Sequence, residues 1–455
     1  MGGLSCWATN REVRLLTLKN IIFASKSYDR KGKIHEAIEH HNRNVAESFR
    51  REKFEKMKDN PYSFFRGSNH IFWADFAGDW QINRFGGSAF SRTWIEGDSH
   101  VYNMGAYLNN AGHVAFGFDD YDDALVADYQ YDIWRFCTSM VLDTWQNDTF
   151  DDDELTEAIK IFAKTYLKTI TSFDRVDLFS ASFNQANTCK PLSKFLAKTS
   201  KKYSRERMLG KWTEVCDGNA RKFRVIEGKL SPADGETRRK IVQAFEGYLS
   251  TIPKEFAAVS ELHNKILDVA ERRGAGTGSL GLRRYYVLIA GNTEHAYDDL
   301  ILDVKQQEHP TAFTYLSDEE VKEYEYNFES HAHRHAEAYK ALAEHPDQHL
   351  GWLSMDGVCF SVRERSPFKN DFPTETLKKT KNYYLMASQW AEIMATKHLR
   401  AARRLNHSVD QYVFEATINR IARDRDEEFA IFTARIAKSY AKQVRKDWLY
   451  FCEGF

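Results

Sequence analysis

A change in sequence pattern near residue 265 limits the possible folds more than any other feature. Helical periodicity extends to about residue 265, after which glycine and β-branched residues dominate until helical periodicity returns beyond Ser366-Pro367. Three strand candidates lie in this interval, within the segments GLRRYYVLIAGN, DLILDVKQQ and GVCFSVRE. The sequence therefore predicts an α+β fold, mostly helical, in which a small β-rich unit separates two helical regions.

The helical regions are identified by composition and apolar spacing. Only eight prolines occur in 455 residues, and this scarcity favours long helices. The acidic run at residues 151–154 is typical of a helix N-terminus. Apolar residues at helical spacing predict three amphipathic helices. Their apolar positions are Leu155, Ile159, Phe162 and Tyr166; Met386, Trp390, Ile393 and Met394; and Phe429, Phe432, Ile436, Tyr440, Val444 and Trp448.

Charge, the length of apolar runs and cysteine spacing indicate which partners and which cellular compartment the sequence favours. Lys and Arg total 64 against 65 for Asp and Glu, so the net charge is −1, and no overall field would attract nucleic acid or an anionic membrane. No apolar run approaches the length of about 18 residues that a membrane-spanning helix needs. The six cysteines are scattered without a CxxC pair, which suits a reducing compartment. We therefore expect a cytoplasmic protein with no nucleic-acid or membrane partner.

Two polar motifs, GDSHVYN at residues 97–103 and FDDYDD at residues 118–123, flank a predicted β-hairpin. Phosphoryl transfer from a nucleotide requires a carboxylate that orients the attacking hydroxyl, and amide and carboxylate ligands that hold Mg2+ on the phosphates. Asp98, Asn103 and Asp120 match this requirement. The alternative interpretation is that these residues only form turns and caps around the hairpin.

A glycine-rich segment, GTGSLG at residues 276–281, lies between two strand candidates. A dinucleotide-binding loop would instead be followed by a helix. A glycine-rich turn between strands, followed by a strand with a lysine, is what a kinase uses to cover and contact ATP phosphates. Alternation along residues 300–305 leaves Lys305 on the face opposite Leu300, Leu302 and Val304. The alternative is a tight hairpin followed by an ordinary exposed lysine.

A histidine-rich segment, HAHRHAE at residues 331–337, offers a different metal site. His331 and His335 are four residues apart, so both could bind zinc from one face of a helix, with His333 between them. The alternative is a solvated helix that begins near Ser317 and carries its histidines without a metal. The sequence leaves both interpretations open.

The motifs in this combination and order resemble a bacterial family catalogued as domain of unknown function 2252. The resemblance covers most of the chain. It rests on the segments PYSFFRGS, GDSHVYNMGA, FDDYDDA, YDIWRF, GTGSLGLRRYYVLI, LDVKQQ and HLGW. The family has no settled activity, so the resemblance implies a fold and not a substrate.

The two polar motifs together also resemble the catalytic loop and metal-binding Asp of protein-kinase-like enzymes, most closely aminoglycoside and choline kinases. Asp98, His100 and Asn103 fit the loop, and Asp120 fits the metal-binding Asp. Those enzymes have a histidine at the position of His100 and usually another before the Gly-Asp pair, where this chain has Glu96. Kinases place the glycine-rich loop first, whereas here the catalytic loop comes first. The resemblance therefore implies a circularly permuted, two-lobe protein-kinase-like fold. Its parts would be an N-terminal helical segment (1–60), a helical lobe (61–255, completed by 366–455) and a small β-rich nucleotide lobe (256–365).

The implied function is an ATP- and Mg2+-dependent phosphotransferase that acts on a hydroxyl of an unidentified small molecule. Two alternatives stay open: a nucleotide-binding regulatory protein without turnover, and a nucleotidyl transferase that binds ATP in a reversed pose. The resemblance implies that Asp98 is the base with His100 in the same loop, that Asn103 and Asp120 are metal ligands with Asp122 as a secondary ligand, and that Asp132 lies beneath the catalytic loop. Lys305 would contact the phosphates and pair with Glu337, with Glu323, Glu325 and Glu329 as rivals. The backbone of Gly276, Gly278, Ser279 and Gly281 would cover the phosphates, and Arg66 has no assigned role.

Overall fold

The structure is a computed structural model that describes residues 29–172, 181–216, 220–259, 263–273, 281–293, 295–406 and 410–455. These residues form fourteen α-helices and thirteen strands. The helices are α1 (Arg30–Asn42), α2 (Glu47–Lys58), α3 (Pro61–Gly67), α4 (Asn69–Phe76), α5 (Gln130–Asn147), α6 (Asp152–Ser172), α7 (Lys190–Lys202), α8 (Arg205–Trp212), α9 (Gly235–Leu249), α10 (Asp318–Asn327), α11 (His331–Leu342), α12 (Thr380–Leu405), α13 (Val413–Ala422) and α14 (Asp426–Gly454). The strands are β1 (Arg92–Ile95), β2 (Met104–Leu108), β3 (Val114–Phe118), β4 (Leu125–Asp128), β5 (Thr213–Val215), β6 (Arg221–Phe223), β7 (Leu230–Pro232), β8 (Ile266–Arg272), β9 (Arg284–Ile289), β10 (Leu300–Gln306), β11 (Gly351–Met355), β12 (Val358–Glu364) and β13 (Asn370–Asp371).

A six-stranded antiparallel sheet occupies the middle of the chain, in the order β11-β12-β10-β9-β8-β7. The three predicted strands are confirmed as β9, β10 and β12. Strand β10 pairs with β12 on one side and β9 on the other, so Lys305 lies opposite Ser361 and Arg284. The lysine therefore projects from an interior strand of the sheet.

The predicted helical stretch before residue 265 is wrong in part, because β5, β6 and β7 interrupt it. Each of these strands is three residues long, which is too short for apolar alternation to be recognised. The helices beside them cover the six-stranded sheet. Apolar residues of α9 pack on one face of the sheet, whereas those of α8 pack with Tyr286, Leu288 and Ile301 on the other.

The predicted hairpin is confirmed as β2 and β3, which pair antiparallel. Strand β13 extends this pair along β2, and β1 pairs separately with β4. Residue Gly112 in the hairpin turn has a positive φ of 80°. The two polar motifs follow β1 and β3, and they approach one another where Gly97 packs against the backbone of Asp123.

The largest apolar core lies among the helices. Helix α12 packs along α6, and α14 packs against both α5 and α6. All three predicted apolar stripes are buried in this core, except that Trp448 is partly exposed. No helix among the described residues is both long enough and apolar enough to cross a membrane.

The predicted continuous helix beginning near Ser317 is instead two helices. Ser317 caps α10 as expected, but the helix ends at Asn327. Ser330 then caps α11, because its hydroxyl accepts a hydrogen bond from the His333 backbone amide at 3.1 Å. The break changes which side chains of α11 face the rest of the molecule.

Candidate functional site

A cleft lies between the six-stranded sheet and the helical region, and it consists of two adjoining cavities. The cavity of about 490 Å3 contains Asp98 in its wall, and we call it the Asp98 cavity. The cavity of about 600 Å3 is lined by the cleft-facing side of the sheet, including Arg363, and we call it the Arg363 cavity. Arg66, Asn103 and Asp120 line both. Residues from distant parts of the chain therefore meet around two cavities that share part of their wall.

Asp98 is partly exposed in this cleft and is held by one buried arginine. Arg135 on α5 donates to Asp98 Oδ1 from both Nε, at 2.7 Å, and an Nη atom. Among the described residues, none donates to Asp98 Oδ2. Burial raises the pKa of Asp98 to about 7, although the positive charge of Arg135 opposes the shift. At neutral pH, this carboxylate is poised to accept a proton.

The loop that carries Asp98 is held from beneath by Asp132. Its two carboxylate oxygens accept hydrogen bonds from the backbone amides of Glu96, at 2.8 Å, and Gly97, at 3.0 Å. His398 on α12 lies 3.2 Å from the same carboxylate. Asp132 lines neither cavity, so it is a positioning residue in this geometry.

Gly97 allows the loop to turn immediately before Asp98. Its φ is +78°, a conformation that residues with a Cβ rarely adopt. A Cβ atom there would also overlap the backbone carbonyl of Asp123. The glycine thus permits close approach between the loop after β1 and the acidic segment after β3.

His100 is buried and contacts Arg66 rather than a carboxylate. Arg66 Nε donates to His100 Nε2 at 3.2 Å, and the Tyr62 hydroxyl lies 3.4 Å from Nδ1. Burial lowers the pKa of His100 well below its usual value, and the charge of Arg66 adds to the shift. The ring is therefore neutral, with the proton assigned to Nδ1 because Nε2 accepts from Arg66. This contact gives Arg66 a place in the site.

Asn103 and Asp120 present oxygen atoms where the two cavities meet. Asn103 Nδ2 donates to the backbone carbonyl of Asp98 at 2.8 Å, and its Oδ1 accepts no hydrogen bond from a described residue. The side chain of Asp120 is 47% exposed. A carboxylate and an amide oxygen suit a hard cation such as Mg2+, so these two residues fit the predicted metal.

Lys305 reaches from the sheet to the acidic segment. Its Nζ forms an ion pair with Asp122 and lies 3.9 Å from Asp120. Gln307 Nε2 also donates to Asp122 at 2.9 Å. Although burial opposes it, the charge of Lys305 keeps the pKa of Asp122 below its usual value. Asp122, predicted as a secondary metal ligand, is engaged by Lys305 and Gln307.

The predicted ion pair between Lys305 and Glu337 is wrong. Glu337 accepts from Lys340 at 2.9 Å and lines a separate cavity of about 420 Å3. Helix α11 turns a different face to the cleft, where His335 Nε2 lies 3.7 Å from Asp122. The rival Glu329 instead accepts a hydrogen bond from the Trp352 indole.

The two histidines proposed for zinc contact different groups. His331 Nδ1 lies 3.1 Å from the Tyr324 hydroxyl, whereas His335 faces Asp122. Burial lowers the pKa of both rings to about 3. In the described residues, the one group of three potential metal-ligating side chains within 4.8 Å is Asp347, His349 and Glu364, not these histidines.

The structure describes only Gly281, the last residue of the glycine-rich segment. Gly276, Gly278 and Ser279 lie outside the described residues. Gly281 has a φ of +96° and lines the Asp98 cavity. Strands β8 and β9, which precede and follow the segment in the chain, pair antiparallel.

Comparison with protein families shows which family the chain belongs to. The model of a family described as uncharacterized proteins conserved in bacteria (DUF2252) matches residues 45–454. The chain belongs to DUF2252. No curated protein and no solved structure matched it.

Several residues of this DUF2252 site carry no sequence signal strong enough for their contacts to be predicted. Arg135 lies three residues after Asp132 on α5, and this spacing places both on one helix face. The spacing does not indicate which group Arg135 contacts. Lys53 on α2 is buried in the wall of the Asp98 cavity, where desolvation lowers its pKa to about 8. Arg284 and Arg363 face the cleft only because of their strand register.

Proposed function

We propose that this DUF2252 chain is a protein-kinase-like transferase that moves a phosphorus-containing group from Mg2+-bound ATP to a hydroxyl of an acceptor. One observation carries the proposal. Lys305 of the six-stranded sheet forms an ion pair with Asp122 in the segment that also contains Asp120, across the cleft that Asp98 lines. A predicted phosphate contact, metal ligands and a general base thus share one space.

The order of elements supports a circular permutation. Strands β8 and β9 flank the glycine-rich segment, β10 carries Lys305, and helices α10 and α11 follow. This is the order expected in the small lobe of a kinase-like enzyme. Helix α12 then reaches the Asp98 loop through His398 and Asp132, which fits the helix expected before a catalytic loop. The loop itself comes earlier in the chain, before all these elements.

The chemistry expected of Asp98 follows from its contacts. Arg135 fixes Oδ1, which leaves Oδ2 to accept the proton of an acceptor hydroxyl. A base with a pKa near the working pH is effective in this role. Lys305 would contact the nucleotide phosphates, and Asp122 would hold the lysine in place when no nucleotide is bound.

Asn103 and Asp120 would hold Mg2+, which supplies positive charge to the phosphate oxygens. The lysine Nζ lies 3.9 Å from Asp120, so a positive charge already occupies the neighbourhood of this carboxylate. The combination of acid, amide and lysine favours an enzyme over a regulatory protein that binds nucleotide without turnover.

Thermal unfolding with and without Mg·ATP tests the proposed site. At 100 times its dissociation constant, a site ligand adds about 2.7 kcal/mol to the free energy of unfolding. We expect this shift with Mg·ATP and a smaller one with ATP and a chelator. Asp120→Asn should reduce the Mg2+-dependent part, whereas Asp153→Asn, at an exposed helix start, should not. No shift with millimolar Mg·ATP would contradict the proposal.

A further inference from the structure

We infer that Asp347, His349 and Glu364 form a binding site for a divalent transition-metal ion such as Zn2+. The three residues lie at one end of the six-stranded sheet, where β11 begins and β12 ends. They are distinct from Asn103 and Asp120, the proposed Mg2+ ligands, so this site does not depend on the proposed transferase activity.

Strand register explains why these residues meet. Gly351 at the start of β11 pairs with Val362 of β12, and continuing this register by two residues brings His349 opposite Glu364. Residues directly opposite one another in antiparallel strands share a face. Ligand atoms of these two residues and of Asp347 all lie within 4.8 Å of one another. Atoms bound to one Zn2+ at about 2.0 to 2.2 Å are at most about 4.4 Å apart, so the group is close to the spacing that one ion requires.

Asp347 fixes the relative positions of the other two residues. Its Oδ1 accepts a hydrogen bond from the backbone amide of His349 at 2.9 Å, and its Oδ2 accepts one from the backbone amide of Glu364. An ionised carboxylate has about four lone-pair sites, so these two bonds leave it able to bind a cation. The group is therefore held together before any metal binds.

His349 is the residue that points to a ligand. Its side chain is fully buried, and neither ring nitrogen forms a hydrogen bond with a described residue. Nδ1 lies 3.6 Å from Asp347 Oδ1, which is longer than a hydrogen bond. Leaving a buried polar group without a partner is costly. A metal ion bound to one ring nitrogen would give that nitrogen its partner.

Local charge favours a cation at this end of the sheet. Asp347 and Glu364 carry two negative charges, and Arg205 Nη1, 2.8 Å from Glu364 Oε1, supplies one positive charge. A metal-ligating histidine is neutral, so the group has a net charge of −1 when it binds an ion. Successive side chains of a strand point to opposite faces, so Arg363 projects from the face of β12 opposite to that of Glu364.

The donor atoms determine the class of metal. Mg2+ and Ca2+ prefer oxygen ligands, whereas an imidazole nitrogen with two carboxylates suits Zn2+ and related first-row ions. Three protein ligands leave one position of a tetrahedral ion for water or another ligand, as in catalytic zinc sites. Asp347 and Glu364 also line the Arg363 cavity, which gives the ion a path of entry.

Calorimetric titration of the chelator-treated full chain with Zn2+, and separately with Mg2+, tests the site. We expect one Zn2+ per chain to bind here and Mg2+ not to compete for it. His349→Phe keeps a buried ring but removes its nitrogens, and Glu364→Gln keeps the side-chain size but removes its charge. Each should weaken Zn2+ binding by about 100-fold or more, because loss of a group that merely supports a ligand already costs about 10- to 100-fold.

Asp356→Asn is the matched control. Asp356 is 47% exposed in the turn at the other end of the β11–β12 hairpin, and its φ of +54° is one that asparagine tolerates. This variant should bind Zn2+ as tightly as wild type does. An equal loss of affinity in Asp356→Asn would show a general effect on the hairpin and would overturn the inference.

Two further results would also overturn it: wild type that binds no Zn2+ with a dissociation constant below about 10 µM, or unchanged Zn2+ affinity in His349→Phe and Glu364→Gln. The second would mean that Zn2+ binds elsewhere and that Asp347, His349 and Glu364 are a metal-free cap and ion pair. If His349→Phe does not fold, the affinity of Glu364→Gln decides. Failure of wild type to bind Mg·ATP would contradict the proposed function and leave this site intact.

Discussion

Lys305 and Asp122, 183 residues apart in the chain, form an ion pair across the cleft. The pair connects the six-stranded sheet to the acidic segment that follows β3. Gln307 and His335 face the same carboxylate, so Asp122 is surrounded by groups from the sheet and from α11. In this chain an aspartate after the hairpin, and not a glutamate on the following helix, holds the lysine.

We expect Lys305→Met to weaken Mg·ATP binding by about tenfold or more, because a charged contact to phosphate is lost. Equilibrium titration measures this change. Lys340→Met is the matched control, since Lys340 pairs with Glu337 beside the separate 420 Å3 cavity. Equal losses of affinity in the two variants would show that the effect of Lys305 is only structural.

The raised pKa of Asp98 predicts the pH dependence of turnover. The carboxyl must be ionised to accept a proton, and burial raises its pKa to about 7. Turnover should therefore rise as the pH increases from about 6 to about 8, with its midpoint near 7. ATP consumption measured across this range checks the prediction. A midpoint near 4, the usual carboxyl value, would exclude Asp98, with its raised pKa, as the base.

The Asp98 loop requires glycine at position 97 because the backbone has a positive φ there and because a Cβ would overlap Asp123. A pair of variants can separate these two reasons. Gly97 and Gly112 have nearly the same φ, +78° and +80°, but a Cβ overlaps Asp123 only at Gly97. We expect Gly112→Ala to lower the free energy of unfolding by about 1 to 2 kcal/mol, the cost of the backbone conformation. Gly97→Ala should cost more and abolish turnover. Denaturant unfolding compares them, and equal costs would mean that the loop tolerates the side chain.

The sequence predicts the longer elements of this fold because their periodicity extends over enough residues. Strands β9, β10 and β12 and helices α6 and α14 each repeat an apolar spacing several times. Strands β5 to β7 do not, since each has three residues. Long elements with a repeated pattern are therefore predictable from one sequence, and short strands that depend on tertiary pairing are not.

In the candidate site, too, local patterns are predictable from the sequence, and contacts between distant segments are not. Asp98, Asn103 and Asp120 could be selected because their spacing is local. The partner of Lys305 could not be, because the interruption of the helix between α10 and α11 shifts the phase of α11 and turns Glu337 away from the cleft. The arginines of the Arg363 cavity also depend on register between strands, which no local pattern specifies.

Calorimetric titration of Mg·ATP into Asp98→Asn and Asp120→Asn tests the central claim most directly. Asp98 pairs with Arg135 and in the proposed site would face the acceptor, whereas Asp120 lines the cleft near Lys305, where the metal and phosphates would bind. We predict that Asp98→Asn abolishes turnover while its affinity for Mg·ATP stays within about threefold of wild type, and that Asp120→Asn weakens this affinity by about tenfold or more. Equal affinities of both variants and wild type for Mg·ATP, or equal losses in both, would contradict the assignment of this cleft as a transferase site.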